Sequence, residues 1–314
     1  MPRKLRVSSV TSGHPLCDDD PLMKLRTQIA GGGFALLLLA ATPVFAQTPS
    51  QPAPPETQPP AAQPKPEDPD KRVDPLQPDF TLAALPTTLR MPKNRSSFRV
   101  THRFSRNLGA GDFGDLLNDF FGFDSGAQIG LEFRYGLLPG TQVGVYRTSN
   151  RDIQIFGQQS ILQQKPDGHP INFDVIATFE GANNMKDAKS SAIGAIVSRK
   201  VGKFAALYVE PMFVANSNTV DSASDPDNNT TMIGLGGRVR IRPTTYLVGE
   251  YTPRVSGYRP GPDQVSFGIE MRAGGHLFQI NFSNGRGTTL RQIAQGAVSN
   301  DQWFIGFNIS RKFF

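Results

Sequence analysis

From Ser97 to the end of the chain, apolar and polar residues alternate with a period of two in one segment after another. Successive side chains of a strand point to opposite faces, so such alternation specifies strands with one greasy face and one polar face. Ile129, Leu131, Phe133 and Tyr135 alternate with Gln128, Gly130, Glu132 and Arg134. Val265, Phe267, Ile269 and Met271 alternate with Ser266, Gly268, Glu270 and Arg272, and Trp303, Ile305, Phe307 and Ile309 close the chain in the same way. The run Ile171, Phe173, Val175, Ala177 and Phe179 is broken once, by Ile176. About twelve runs occur, over 96–105, 126–136, 140–148, 152–163, 171–181, 191–201, 204–215, 230–241, 244–253, 264–273, 275–284 and 302–313. Most have the length that a tilted strand needs to cross a bilayer.

The connections sort by length. After the even-numbered runs they are turn-like (Leu-Leu-Pro, Lys-Pro-Asp-Gly-His-Pro, Gly-Lys, Arg-Pro and a glycine). After the odd-numbered runs most are longer, the largest lying at 106–125, 216–229 and 285–301. Short turns on one rim and long loops on the other mark an outer-membrane barrel, and an even strand count returns the C-terminus to the rim where the chain entered. A soluble β-sandwich shows the same alternation but fits poorly with strands this long and loops this asymmetric. The expected fold is all-β: a transmembrane antiparallel β-barrel of about twelve strands over 96–314.

Upstream, residues 23–46 read as a signal peptide. Lys24 and Arg26 supply the positive start, Gly31 to Ala41 the apolar centre, and Val44-Phe45-Ala46 the small-residue site, with cleavage expected between Ala46 and Gln47. The apolar centre is too short to span and ends at Pro43. Met23 is the natural start on this reading, which makes 1–22 a mis-assigned extension. The single cysteine, Cys17, lies upstream of the cleavage site, so export needs no disulfide chemistry. Residues 47–79 form a Pro-rich arm, with 11 prolines between Gln47 and Pro78, a composition that cannot bury a core and favours an extended, disordered periplasmic tether. Residues 80–95 are expected to be a periplasmic lead-in. Its part from Phe80 to Pro92 is mildly apolar, which would suit a cover on the barrel mouth, and the sequence does not decide its place.

If the apolar face meets lipid, the opposite face lines a lumen. That face carries Glu132, Glu180, Glu210, Glu250 and Glu270 together with Arg99, Arg103, Arg134, Arg238, Arg240 and Arg272. Charges in a narrow barrel survive only if paired or hydrated. Two interiors are therefore open, a salt-bridged filling or a polar pore. Gly234, Gly236 and Gly237 mark a bend or a close approach. In the first long loop, Asp115 to Phe121 suits a short helix, folded inward as a constriction or lying on the rim against lipid.

The chain ends Ser-Arg-Lys-Phe-Phe, and a terminal aromatic on an alternating strand resembles the signal read by barrel-assembly machinery. Phe313 is in phase with the outward face and Phe314 is out of it, so either Phe313 plays that part or the last strand bulges. His102-Arg103-Phe104, Phe121-Gly122-Phe123-Asp124-Ser125-Gly126, and Tyr135-Gly136-Leu137 through Gly144-Val145-Tyr146-Arg147-Thr148 resemble a bacterial outer-membrane β-barrel family catalogued only as a domain of unknown function. The resemblance spans roughly 80–314. It implies a barrel in the outer membrane of a Gram-negative bacterium and brings no catalytic residues with it.

Other chemistry is weakly signalled. His102, His169 and His276 lack the serine and orienting group of a hydrolase, so no enzyme is expected. Asp221, Asp225 and Asp227 lack the glycine and bidentate glutamate of a calcium loop and read as solvated acids, so no metal and no cofactor is expected. The net charge of +6, which falls to +4 once the five basic and three acidic residues before Gln47 are removed, is spread without a basic, aromatic-rich face, which argues against nucleic acid. The partners expected are the lipid bilayer, the barrel-assembly machinery and a periplasmic or cell-wall partner of the Pro-rich arm. The functional expectation is a passive channel for small polar solutes. Its competitor is a closed barrel serving as scaffold or anchor for a periplasmic or surface partner.

Overall fold

A computed structural model describes residues 73–218 and 227–314. Each alternating run becomes one strand: β1 (Ser96–Phe104), β2 (Ala127–Leu138), β3 (Thr141–Thr148), β4 (Ile153–Leu162), β5 (Asn172–Gly181), β6 (Asp187–Val201), β7 (Ala205–Ala215), β8 (Thr230–Arg242), β9 (Thr245–Thr252), β10 (Gln264–Ala273), β11 (His276–Ser283) and β12 (Phe304–Phe313). Past Pro253, which has no N–H to give the ladder, β9 resumes as Arg254–Gly257 against the start of β8. Every strand pairs antiparallel with its sequence neighbours, and β12 pairs with β1, Val100 opposite Ile309. The sheet therefore closes into a twelve-stranded barrel with no free edge, which is how strands satisfy their backbone groups in a bilayer. Among the described residues no helix is long and apolar enough to cross a membrane.

The outward positions carry an apolar band that includes Leu131, Phe133, Ile193, Leu207, Phe267, Ile269 and Met271, all exposed. One rim holds the tight turns. Pro139-Gly140 joins β2 to β3, and Gly274-Gly275 joins β10 to β11 with both residues at positive φ, a geometry that two side chains would strain. Ser96 and Phe313 sit opposite each other on this rim, so the chain enters and leaves on the same side. Pairing runs to Phe313 without a bulge. Phe313 points outward and is half exposed, while Phe314 turns in against Val73, Phe80, Leu89 and Met91.

Among the short helices of the long-loop rim, two bear on the lumen question. Phe113–Asn118 is closed by a capping box in which Asp112 and Asp115 each accept from the other's backbone N–H. None of its residues is buried, and Phe113, Leu117 and Phe120 are exposed, so it takes the rim placement and does not constrict the lumen. The helix that folds inward is Leu290–Ala294, capped by Thr289, and the sequence offered no sign of it.

The segment ahead of β1 departs most from expectation. Val73 to Asp79, assigned to a disordered arm, and the lead-in from Phe80 are packed inside the barrel, not beneath it. The reason is apolar area: Leu76, Phe80, Leu82, Leu85, Leu89 and Met91 are all buried, four of them at 2% exposure or less. The signal peptide, its Ala46–Gln47 cleavage site, the extension 1–22 and the arm as far as residue 72 lie outside the described residues. So do Asp221 and Asp225 of the acidic loop.

Candidate functional site: the lumen and its plug

Residues 73–92 enter from the short-turn rim, reverse direction, and return to it. The reversal is a tight hairpin in which Leu82 N–H donates to Leu85 O at 2.8 Å and Thr87 N–H to Phe80 O at 2.8 Å. Near the rim the segment is pinned by Lys200 Nζ to Asp74 (2.8 Å), Tyr246 Oη to Pro75 O (2.9 Å) and Lys312 Nζ to Asp79 (3.2 Å). Burial pushes the Asp79 carboxyl up, but Lys312, Arg99 and Arg238 outweigh it and hold the group below the ordinary carboxylate value.

At the hairpin tip the wall addresses the backbone. Glu250 accepts the N–H groups of Ala83, Ala84 and Leu85 at 3.0–3.1 Å. Three successive N–H groups converging on one carboxylate form an anion nest, and each bond is charge-assisted. The carbonyls face donors instead: Arg238 reaches Thr81 O (2.8 Å), Gln279 reaches Leu82 O (3.1 Å), and Arg103 and Asn308 share Ala83 O (3.0 and 2.9 Å). On the returning limb Gln158 donates to Thr87 O and Gln142 to Leu89 O. Arg99 holds the Thr81 hydroxyl, and Ser198 lies 2.5 Å from that of Thr88.

The two tip leucines fit recesses made by glycines of β8. A Cβ on Gly236 would stand 2.2 Å from Leu82 Cδ1, and one on Gly234 would stand 2.9 Å from Leu85 Cδ1. Gly237 meets Leu207, not the plug. Around these recesses the inward wall of β5 to β9 is apolar: Ile176, Ile196, Tyr208, Met212, Met232 and Val248 are buried in one cluster with Leu82 and Leu85. The inward place of Ile176 explains its break in the alternation. From the opposite side the same cluster receives Leu290, Ile293 and Ala294 of the inward loop helix. That helix is fastened by Arg291, 3.6 Å from Glu180 and 3.8 Å from Asp152, and by Gln292 to Asp152 at 2.8 Å. The lumen is thus closed from both rims.

Of the eleven charged positions assigned to the inward face, Arg99, Arg103, Glu132, Arg134, Glu180, Glu210, Arg238, Glu250 and Glu270 are buried there. Arg240 and Arg272 are half-buried near the turns of the short rim. The structure gathers them into separate groups. Glu132 bridges Arg99 (2.6 Å) and Arg134 (3.1 Å), and Arg134 lies over the rings of Phe80 and Phe156. Arg238 grips Glu270 through two bonds of 2.5 and 2.9 Å. Glu180 goes to the loop helix and Glu250 to the plug. Glu210 lies apart, with both carboxylate oxygens buried and unbonded beside the Gly234 recess.

The histidines are dispersed. His102 stacks on Phe307 at 4.8 Å, His276 meets Arg311, and His169 bridges to Gln164 in a turn. Among the described residues no group of three His, Cys, Asp or Glu side chains is placed to hold a metal ion.

The profile of the family described as Membrane bound beta barrel domain (DUF5777) matches residues 79–313. No curated protein sequence matches the chain. Among solved structures, the NanC porin is 10% identical at a TM-score of 0.47, covering 69% of this chain and 99% of its own. The COG4313 outer membrane channel from Pseudomonas putida F1 is 10% identical at 0.45, covering 71% and 97%. The KdgM porin, solved in complex with disordered oligogalacturonate, is 8% identical at 0.43, covering 69% and 99%.

Proposed function

The chain belongs to the membrane-bound β-barrel domain family matched over 79–313, and from that premise we propose that it is an outer-membrane channel for polar solutes, closed at rest by residues 73–92 of its own chain. The observation that carries this reading is the way the plug is held. At its tip most wall bonds run from polar side chains to plug backbone, so withdrawal leaves Glu250, Arg238, Asn308 and Gln279 for water to solvate, beside the apolar wall around the glycine recesses. The glutamates and arginines that pair with each other, Glu132 with its two arginines and Arg238 with Glu270, brace the wall whether or not the plug is in place.

The test is a covalent lock. The Thr88 and Ser198 hydroxyls are in hydrogen-bond contact, so Thr88→Cys with Ser198→Cys places two thiols side by side for oxidation to tie plug to wall. In planar bilayers, with barrel folding checked by a heat-dependent gel shift, the reduced pair is expected to open intermittently. The oxidised pair is expected to be silent, and reductant to restore opening. Silence under both conditions, in a folded barrel whose plug and whose inward helix (Ile293→Ala) have both been loosened, rejects the channel. It leaves the closed scaffold, the second reading, which the double closure by plug and loop helix favours.

A further inference from the structure

The chemistry of the lumen identifies its ligand more closely than "polar solute". The groups around the hairpin tip form a pattern rather than a generic hydrated surface. Donors stand opposite three consecutive carbonyls, Thr81 to Ala83, and one carboxylate stands opposite three consecutive N–H groups, Ala83 to Leu85. That is the donor and acceptor order of a peptide backbone, and only a chain of amides presents it. The glycine recesses add a side-chain rule. They take two leucine-sized groups three residues apart.

A second, independent observation shows that the plug does not use the whole site. Glu210 is fully buried beside the Leu85 recess, and neither carboxylate oxygen has a hydrogen-bond partner. Arg238 Nη1 and Asn281 Oδ1 are buried and unbonded as well. Buried polar groups are normally paired, so such a surplus inside an otherwise matched site is hydrogen-bonding capacity that the plug leaves unused.

We propose that the vacated lumen is an oligopeptide site: it reads an extended or hairpin backbone through Glu250, Arg238, Gln279, Arg103 and Asn308, and selects apolar side chains at positions i and i+3 through Gly236 and Gly234. Residues 79–89 are then an internal occupant that outside peptides displace. The inference rests on the reading of the plug as removable. It deepens that reading by naming the solute class.

The experiment measures binding, so that it does not depend on conductance. The full chain carries Leu82→Ser and Leu85→Ser to weaken its own plug, with release checked by amide exchange of residues 80–89. Four fluorescent peptides are titrated by anisotropy. They are the plug sequence 79–89, the same with the leucines matching 82 and 85 replaced by serine, the same N-methylated at the residues matching 83–85, and an unrelated sequence that keeps only the apolar i, i+3 spacing. The first and fourth are expected to bind within about tenfold of each other, and the second and third at least about tenfold more weakly, the loss that missing charge-assisted bonds and apolar contacts entail. Glu250→Gln is expected to weaken the first and fourth and to leave the N-methylated peptide unaffected. Should the leucines destabilise assembly when replaced, Gly236→Ala loosens the plug instead, read with peptides carrying alanine at the first apolar position. Equal binding of the N-methylated peptide, or binding of the plug sequence alone, overturns the proposal. A barrel that conducts when unlocked yet binds no peptide refutes the peptide site and spares the channel, whereas one that binds peptide and never conducts does the reverse.

Discussion

Of the two glycine recesses at the hairpin tip, the tighter lies at Gly236, and it supports a quantitative test of the docked plug. A Cβ there would fall 2.2 Å from Leu82 Cδ1, whereas the next obstacle from another residue, Gly249 O, is 3.5 Å away. Leu82 is completely buried, so it has no open space into which to retreat. Gly236→Ala should therefore destabilise docking by about 1–3 kcal/mol, the usual cost of forcing an extra methyl into a packed site. At 1.4 kcal/mol per decade this is a roughly 5- to 150-fold rise in the undocked fraction. Leu82→Ala alone should cost about 2–5 kcal/mol by leaving a cavity. If the reading is correct the two do not add. With Leu82 shortened, the new methyl occupies part of the void, and the double variant should be no worse than Leu82→Ala, a coupling of about 1–3 kcal/mol. The assay is mass-spectrometric amide exchange of residues 80–89 in the folded barrel, with strand amides as the internal control. Additivity within about 0.5 kcal/mol would refute the contact. So would loosening that spreads equally into β8 and β9, since the methyl would then be disturbing the wall and not the plug.

Other predictions follow the same geometry. Glu250→Gln leaves one carbonyl oxygen where two charged oxygens met three N–H groups, and should raise plug exchange by roughly 10- to 150-fold, the loss of about 1.5–3 kcal/mol expected for one charged bond. Arg238→Met strands the buried Glu270 carboxylate and should destabilise the whole barrel by about 3–5 kcal/mol, seen as a lower temperature of the gel-shift transition. Because Asp79 is held below the ordinary carboxylate value, its contribution to docking is present above that value and lost as pH falls through the lowered one. Plug exchange should rise in strong acid, and Asp79→Asn should be looser at neutral pH with a shallower acid response. Ile293→Ala should loosen the inward helix and raise exchange of 290–294 while leaving the wall strands protected.

The barrel was legible because lipid imposes a rule that local sequence can carry. Outward positions in the lipid band must be mostly apolar, so strands such as Gln264–Ala273 announce themselves by alternation alone. The inward face obeys no comparable rule. Its charged members were visible at Glu132, Arg238 and Glu250. Their grouping was not, because Arg238 meets Glu270 across an intervening strand and Glu250 meets a segment more than 160 residues away in sequence. Ile176 appeared as a defect in a pattern, although it is a wall residue facing the plug leucines. Gly234 and Gly236 were readable as a close approach, but nothing local says that Leu85 and Leu82 are what approach. The Pro-rich composition before Pro78 drew the plug boundary too late: Val73 and Leu76 belong with the buried cluster despite the prolines around them. The helix Leu290–Ala294 is a single turn and a half whose apolar face matters only because a barrel surrounds it.

That both limbs of the hairpin leave by the same rim has a mechanical consequence. Its C-terminal limb continues directly into β1 and is anchored in the wall, so a load can be applied only at the Val73 end. Tension there does not shear the nest and the leucine recesses all at once. It reaches Asp74–Lys200 first, then Pro75–Tyr246, then Asp79–Lys312, and the tip last. Bonds that break in sequence yield at a far smaller force than the same bonds loaded together, while at rest they still act jointly. An undisturbed plug can therefore be held tightly and yet be drawn out by a weak, steady pull, with a release rate set by the barrier at the tip and not by the total docking energy.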